Sequence, residues 1–133
     1  MPLSASAGAR SLRARFAETS AATASRPRLV TMLYDRMVRD LHEAAAALER
    51  ADHYGAHTAL VHAQEIVEAL RAALDPTVWP GARGLGQLYD FVHERMVAAN
   101  LTKDPKAVAD ALTVVEPLRD AWHEAFRSLG DAT

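Results

Sequence analysis

Residues 26–50 read RPRLVTMLYDRMVRDLHEAAAALER. Leu29, Leu33, Met37, Leu41, Ala44 and Leu48 recur every third or fourth position, the spacing that puts side chains on one face of an α-helix. Ser25 is a suitable N-cap, and Pro27 falls in the first turn, where a missing N–H costs little. The stretch predicts an amphipathic helix from Arg26 to Arg50, broken by Asp52–Gly55. Downstream, Leu60, Ala63, Val67, Leu70 and Leu74 predict a second helix with the 3–4–3–4 spacing of a bundle seam. Asp75–Gly84 holds two prolines and two glycines and predicts the long connection. A third helix, from about Leu85 to Leu101, carries Leu85, Leu88 or Tyr89, Val92 and Met96. Asp104-Pro105 then supplies an N-cap and a proline at the first helical position of a fourth helix. That helix shows Val108, Leu112, Val115, Trp122, Phe126 and Leu129, with Gly130 suited to its C′ position. Pro117 inside it removes the bond to the Thr113 carbonyl and predicts a kink.

Four amphipathic helices with short first and third connections predict an all-α fold, an antiparallel four-helix bundle over residues 23–130. Residues 1–22 are rich in Ala, Ser, Arg and Thr and read as an N-terminal arm, flexible or folded back on the bundle, with Leu12 and Phe16 as its apolar anchors. The chain has 133 residues, enough for one domain with a real core, and 28 of them are alanine, a strong helix former. Cysteine is absent, which excludes disulfides, zinc–thiolate sites and cysteine nucleophiles. No apolar run reaches bilayer length, and no secretory signal pattern follows the early arginines, so a cytoplasmic protein is expected. The total charge of −2 favours neither DNA nor RNA. Residues 1–30 hold five arginines against one glutamate, a net of +4 that leaves −6 on the remainder. A cationic arm on an acidic body can fold back on it or stay solvated.

The histidines do not assemble recognisable chemistry. Di-iron bundles need Glu-x-x-His pairs, and no glutamate here has histidine three residues later. His53 and His57 are four apart without an identifiable third ligand, so no metal or other cofactor is expected. His62, His93 and His123 are expected to be solvated. A histidine phosphotransfer bundle is the alternative within the same fold class. Glu follows His42, and Ala-Gln-Glu follows His62, and acidic neighbours repel phosphate. No phosphate-cradling loop or persuasive triad is present, so an enzyme is not expected. A second apolar face runs along Ala107, Ala111, Val114, Leu118, Ala121 and Ala125, and another along Ile66, Ala69 and Ala73. Two readings stand: a wide core face, or a groove for a partner helix. A plain dimerising bundle would bury such faces against a second copy.

Thr23-Ala24-Ser25, Leu29 and Met32-Leu33-Tyr34-Asp35 resemble the signature of the flagellar secretion chaperone family FliS, roughly T-A-S-P-x-x-L-x-x-M-L-Y-D-G. Three further stretches agree in order. They are Ala63-Gln64-Glu65-Ile66-Val67 with Leu70, Leu88-Tyr89-Asp90-Phe91 with Ala99-Asn100-Leu101, and Leu118-Arg119-Asp120-Ala121-Trp122. The match spans about residues 16–126. Departures are Arg26 before Pro27, Arg36 in place of glycine, Phe16 in place of tyrosine, and Pro117 ahead of the fourth motif. The resemblance implies a cytosolic chaperone that binds the C-terminal segment of new flagellin, prevents premature polymerisation and delivers it to the flagellar type III export apparatus. On that basis Phe16, Leu29, Leu33, Tyr34, Asp35, Ile66, Tyr89, Asp90, Asn100, Val114 and Leu118 are the candidate partner-binding residues. Core packing is the competing role for Leu29, Leu33, Tyr89 and Trp122.

Overall fold

The computed structural model describes residues 26–131, and side chains as far as Ser128. Four helices account for nearly all of this span: α1 (Arg26–Glu49), α2 (His53–Ala73), α3 (Ala82–Thr102) and α4 (Pro105–Asp131). Each packs on two neighbours, α1 on α2 and α4, and α3 on α2 and α4, while the diagonal helix backbones stay apart. Side-chain bridges run Asp35 to His123 and His42 to Glu116 between α1 and α4, and Glu68 to His93 and His57 to Asn100 between α2 and α3. In each pair one number rises as the other falls, so these neighbours are antiparallel. The expected bundle is therefore the observed one. The arm at 1–22, with Phe16, and the Ser25 cap lie outside the described residues.

The core is broader than single stripes. Tyr34 and Val38 join Met37, Leu41 and Ala44 on the inner face of α1, whereas Leu33 and Leu48 are half-buried at its margins. On α3 it is Tyr89, not Leu88, that continues Leu85, Val92 and Met96 inward. The second faces resolve mostly into core. Ile66 and Ala69 on α2, and Ala107 and Ala111 on α4, are buried. Small side chains there let the helices approach closely. Val114 and Leu118 are half-buried against the core, and only Ala73, Ala121 and Ala125 remain outside.

Two helix boundaries rest on left-handed residues. Ala51 has φ 57°, and Asp52 N–H reaches back to the Ala47 carbonyl at 2.8 Å, closing α1 with a Schellman turn. Asp52 then caps α2, its Oδ1 accepting from Gly55 N–H at 2.9 Å. Lys103, φ 54°, closes α3 in the same way, with Asp104 N–H on the Ala99 carbonyl at 3.2 Å. Asp104 Oδ1 accepts from Lys106 N–H at 2.9 Å, so the predicted Asp-Pro start of α4 is observed. α3 begins at Ala82, a turn earlier than its apolar pattern indicates, because Leu85 N–H already bonds the Gly81 carbonyl at 3.0 Å. Gly84 is thus helical, and the connection is shorter than expected. α4 runs on through Pro117, whose ring is exposed, and past Gly130 to Asp131.

Candidate functional site

The antiparallel topology brings the start of α1, the end of α2, the start of α3 and the last third of α4 to one end of the bundle. An apolar groove of about 400 Å³ opens there. Val30 and Leu33 line it from α1, and Ala69, Leu70, Ala73 and Leu74 from the end of α2. Trp79 of the α2–α3 connection, Leu85 and Tyr89 of α3, and Trp122 of α4 complete the wall, so both tryptophans of the chain face one groove. Arg26 is its one charged lining residue among the described residues.

Behind the groove lies an aromatic cluster. Tyr34 is fully buried, and its hydroxyl meets that of Tyr89 at 2.6 Å. The Tyr34 ring centroid lies 6.4 Å from that of Tyr89 and 6.3 Å from that of Trp122, both tilted. Burial pushes the Tyr34 phenol above its ordinary value, partly offset by hydrogen bonding with Tyr89 and Trp122. Burial also raises Tyr89, reinforced by the charge and hydrogen bond of Tyr34. Both phenols are held neutral, as a dry apolar site requires.

Of the candidate residues, Leu33 and Tyr89 line the groove. Leu29, Tyr34 and Ile66 are buried and do not line the groove. Val114 and Leu118 lie on α4, half-buried against the core. The three polar candidates bridge helices. Asp35 accepts from His123 at 2.7 Å, Asp90 takes Arg71 through two bonds at 3.0 and 3.4 Å, and the Asn100 amide meets His57 Nδ1 at 3.0 Å. Trp122 is half-buried, packed on the core and lining the groove.

The histidines also differ from expectation. His62, His93 and His123 do not simply point into water; each bonds a carboxylate on another helix. His62 Nδ1 bonds Oδ2 of Asp40, a carboxylate only 1% exposed, whose Oδ1 accepts from Arg36 Nε at 3.0 Å. A buried carboxylate needs such partners to offset its desolvation. Asp40 escaped notice in the sequence, although its place between Met37, Val38 and Leu41 on the inner face was a signal. Among the described residues no three metal-ligating side chains cluster, and His57 is turned to Asn100.

Trp79 was also missed, because a tryptophan in a Pro/Gly-rich connection belongs to no periodic face. Its signal was the connection itself, D-P-T-V-W-P-G, where an exposed large aromatic has no local reason to be.

An open, aromatic-walled groove at one end of a helical bundle is the kind of surface that can receive the apolar face of another helix. The family model described as "Flagellar protein FliS" matches residues 9–129. The flagellar secretion chaperone FliS of Bacillus subtilis (strain 168) is 31% identical over 113 residues, covering 85% of this chain and 84% of its own. That of Escherichia coli (strain K12) is also 31% identical over 113 residues, covering 84% and 83%. That of Salmonella typhimurium is 30% identical over 109 residues, covering 80% and 81%. The chain belongs to the FliS family of flagellar secretion chaperones. Among the described residues no helix is long and apolar enough to cross a membrane.

Proposed function

We propose that this protein is a cytosolic export chaperone that holds the C-terminal helical segment of flagellin. It thereby prevents premature polymerisation and hands the subunit to the flagellar export apparatus. The observation that carries this reading is the apolar groove walled by Trp79, Trp122, Leu33 and Tyr89. The terminal helices of a filament subunit expose apolar stripes before assembly, and such a stripe gains from burial in a groove of this kind. The chaperone role of the family supports the same reading. No cofactor or turnover is needed; affinity comes from desolvated apolar contacts.

Titration of the protein with the flagellin C-terminal segment from the same cell tests the proposal by calorimetry. Saturable one-to-one binding is expected, with a negative heat-capacity change from apolar burial. A chain that ignores the segment and instead elutes as a dimer would replace the client with a second copy of itself.

A further inference from the structure

The α2–α3 connection is a built support, and its aromatic residue is seated. Asp75 Oδ1 accepts from Thr77 N–H at 2.9 Å and from the Thr77 hydroxyl at 2.6 Å. Those bonds hold the Asp75 carboxyl below its ordinary value. Val78 N–H reaches the Asp75 carbonyl at 3.3 Å, and Ala82 N–H reaches that of Trp79 at 3.1 Å, which ties the connection to the first turn of α3. Between these anchors the indole of Trp79 lies on Gly81. A Cβ added to Gly81 would sit 1.9 Å from Trp79 Cζ3, and the three nearest atoms all belong to that ring. Gly81 has φ −82° and ψ −7°, which any residue adopts. The backbone therefore does not require glycine there, but the indole does.

Trp79 is nonetheless 45% exposed. A large aromatic held in place by its own loop, open to solvent and facing an apolar groove has its ordering cost met before any partner arrives. That is the profile of a binding hot spot. We infer that Trp79, seated on Gly81, is the pre-organised anchor that grips the apolar face of the client helix at this end of the groove. The inference rests on the flagellin reading above.

Calorimetric titration of the full chain with the flagellin C-terminal segment, alongside thermal melts, provides the test. Trp79→Ala is expected to weaken binding roughly tenfold or more, with a smaller drop in melting temperature than Trp122→Ala gives, because nearly half of the side chain is already in water. Trp79→Phe should recover most of the affinity. Gly81→Ala keeps the indole but unseats it, and should weaken binding nearly as much as Trp79→Ala. If the parent binds and Trp79→Ala binds within about twofold of it, the anchor assignment is wrong while the flagellin reading stands. If Gly81→Ala binds like the parent, the seat is not what positions the ring. A parent that does not bind the segment at all removes the flagellin reading and this inference together.

Discussion

The hydroxyls of Tyr34 and Tyr89 lie 2.6 Å apart and join α1 to α3 across the diagonal of the bundle, between helices whose backbones do not touch. Each phenol is a polar group in a dry core; Tyr34 bonds Tyr89 and Trp122, and Tyr89 bonds Tyr34. Removing the Tyr34 hydroxyl takes that partner from Tyr89, which costs about 1–3 kcal/mol, and removing the Tyr89 hydroxyl leaves Tyr34 with Trp122. Tyr34→Phe and Tyr89→Phe should therefore each destabilise, and the double variant should be no worse than either alone. Strictly additive losses in chemical denaturation would show that the bond contributes nothing.

The same pair sets an alkaline limit. Both folded-state values are raised above the ordinary value, so folding favours the protonated phenols. The contribution is complete below the unfolded value near 10 and is lost as pH rises beyond it, by about 1.4 kcal/mol per pH unit per phenol. Unfolding free energy should fall steeply above that pH, with the phenolate absorbance of these two residues arriving only as the chain unfolds. The double phenylalanine variant should flatten the slope. An unchanged slope in that variant would assign the limit to other groups.

Asp40 and His62 are expected to respond unequally. His62→Ala leaves a buried carboxylate with Arg36 as its remaining partner and should cost about 1–3 kcal/mol. Asp40→Ala removes the buried charge itself, and both former partners are exposed enough to be hydrated. Urea midpoints should rank His62→Ala below Asp40→Ala; the reverse order would mean that the carboxylate is a net source of stability.

The two left-handed residues offer a matched pair. Ala51 makes no side-chain bond and bears the strain of an L residue at φ 57°, so Ala51→Gly should stabilise by about 0.5–1 kcal/mol. Lys103 bears the same strain, but its Nζ donates to the Asn100 carbonyl at 2.8 Å and to Asn100 Oδ1 at 2.5 Å. Lys103→Gly should therefore gain less than Ala51→Gly. Equal gains in melting temperature would show those ammonium bonds to be without weight.

Trp122 links stability to binding. A fully buried aromatic cut to alanine costs ~3–5 kcal/mol; half-buried Trp122 should lose about 2 kcal/mol by the same rule, leaving a folded protein. Trp122→Ala should then also bind the flagellin segment more weakly, since both tryptophans wall the groove. Full affinity in the folded variant would confine Trp122 to the core.

The four helices, their order and most of their inward faces were legible in the residues, because the 3.6-residue period and the Asp-Pro and Pro27 start signals are local properties. Leu33 and Tyr89 could be named as candidates from the motifs they sit in. What the sequence could not show is which side chains meet across elements. Asp35, Asp90 and Asn100 look like surface polar groups until the fold sets His123, Arg71 and His57 opposite them. Ile66 looks like spare apolar surface until α1 and α3 close over α2. Trp79 has no period at all, and only the convergence of four helix ends gives it a groove to face. Periodicity is written in neighbours three and four residues apart, whereas a groove is made by residues as distant as Arg26 and Trp122. Their meeting depends on how whole helices pack, and that is decided only by the tertiary structure.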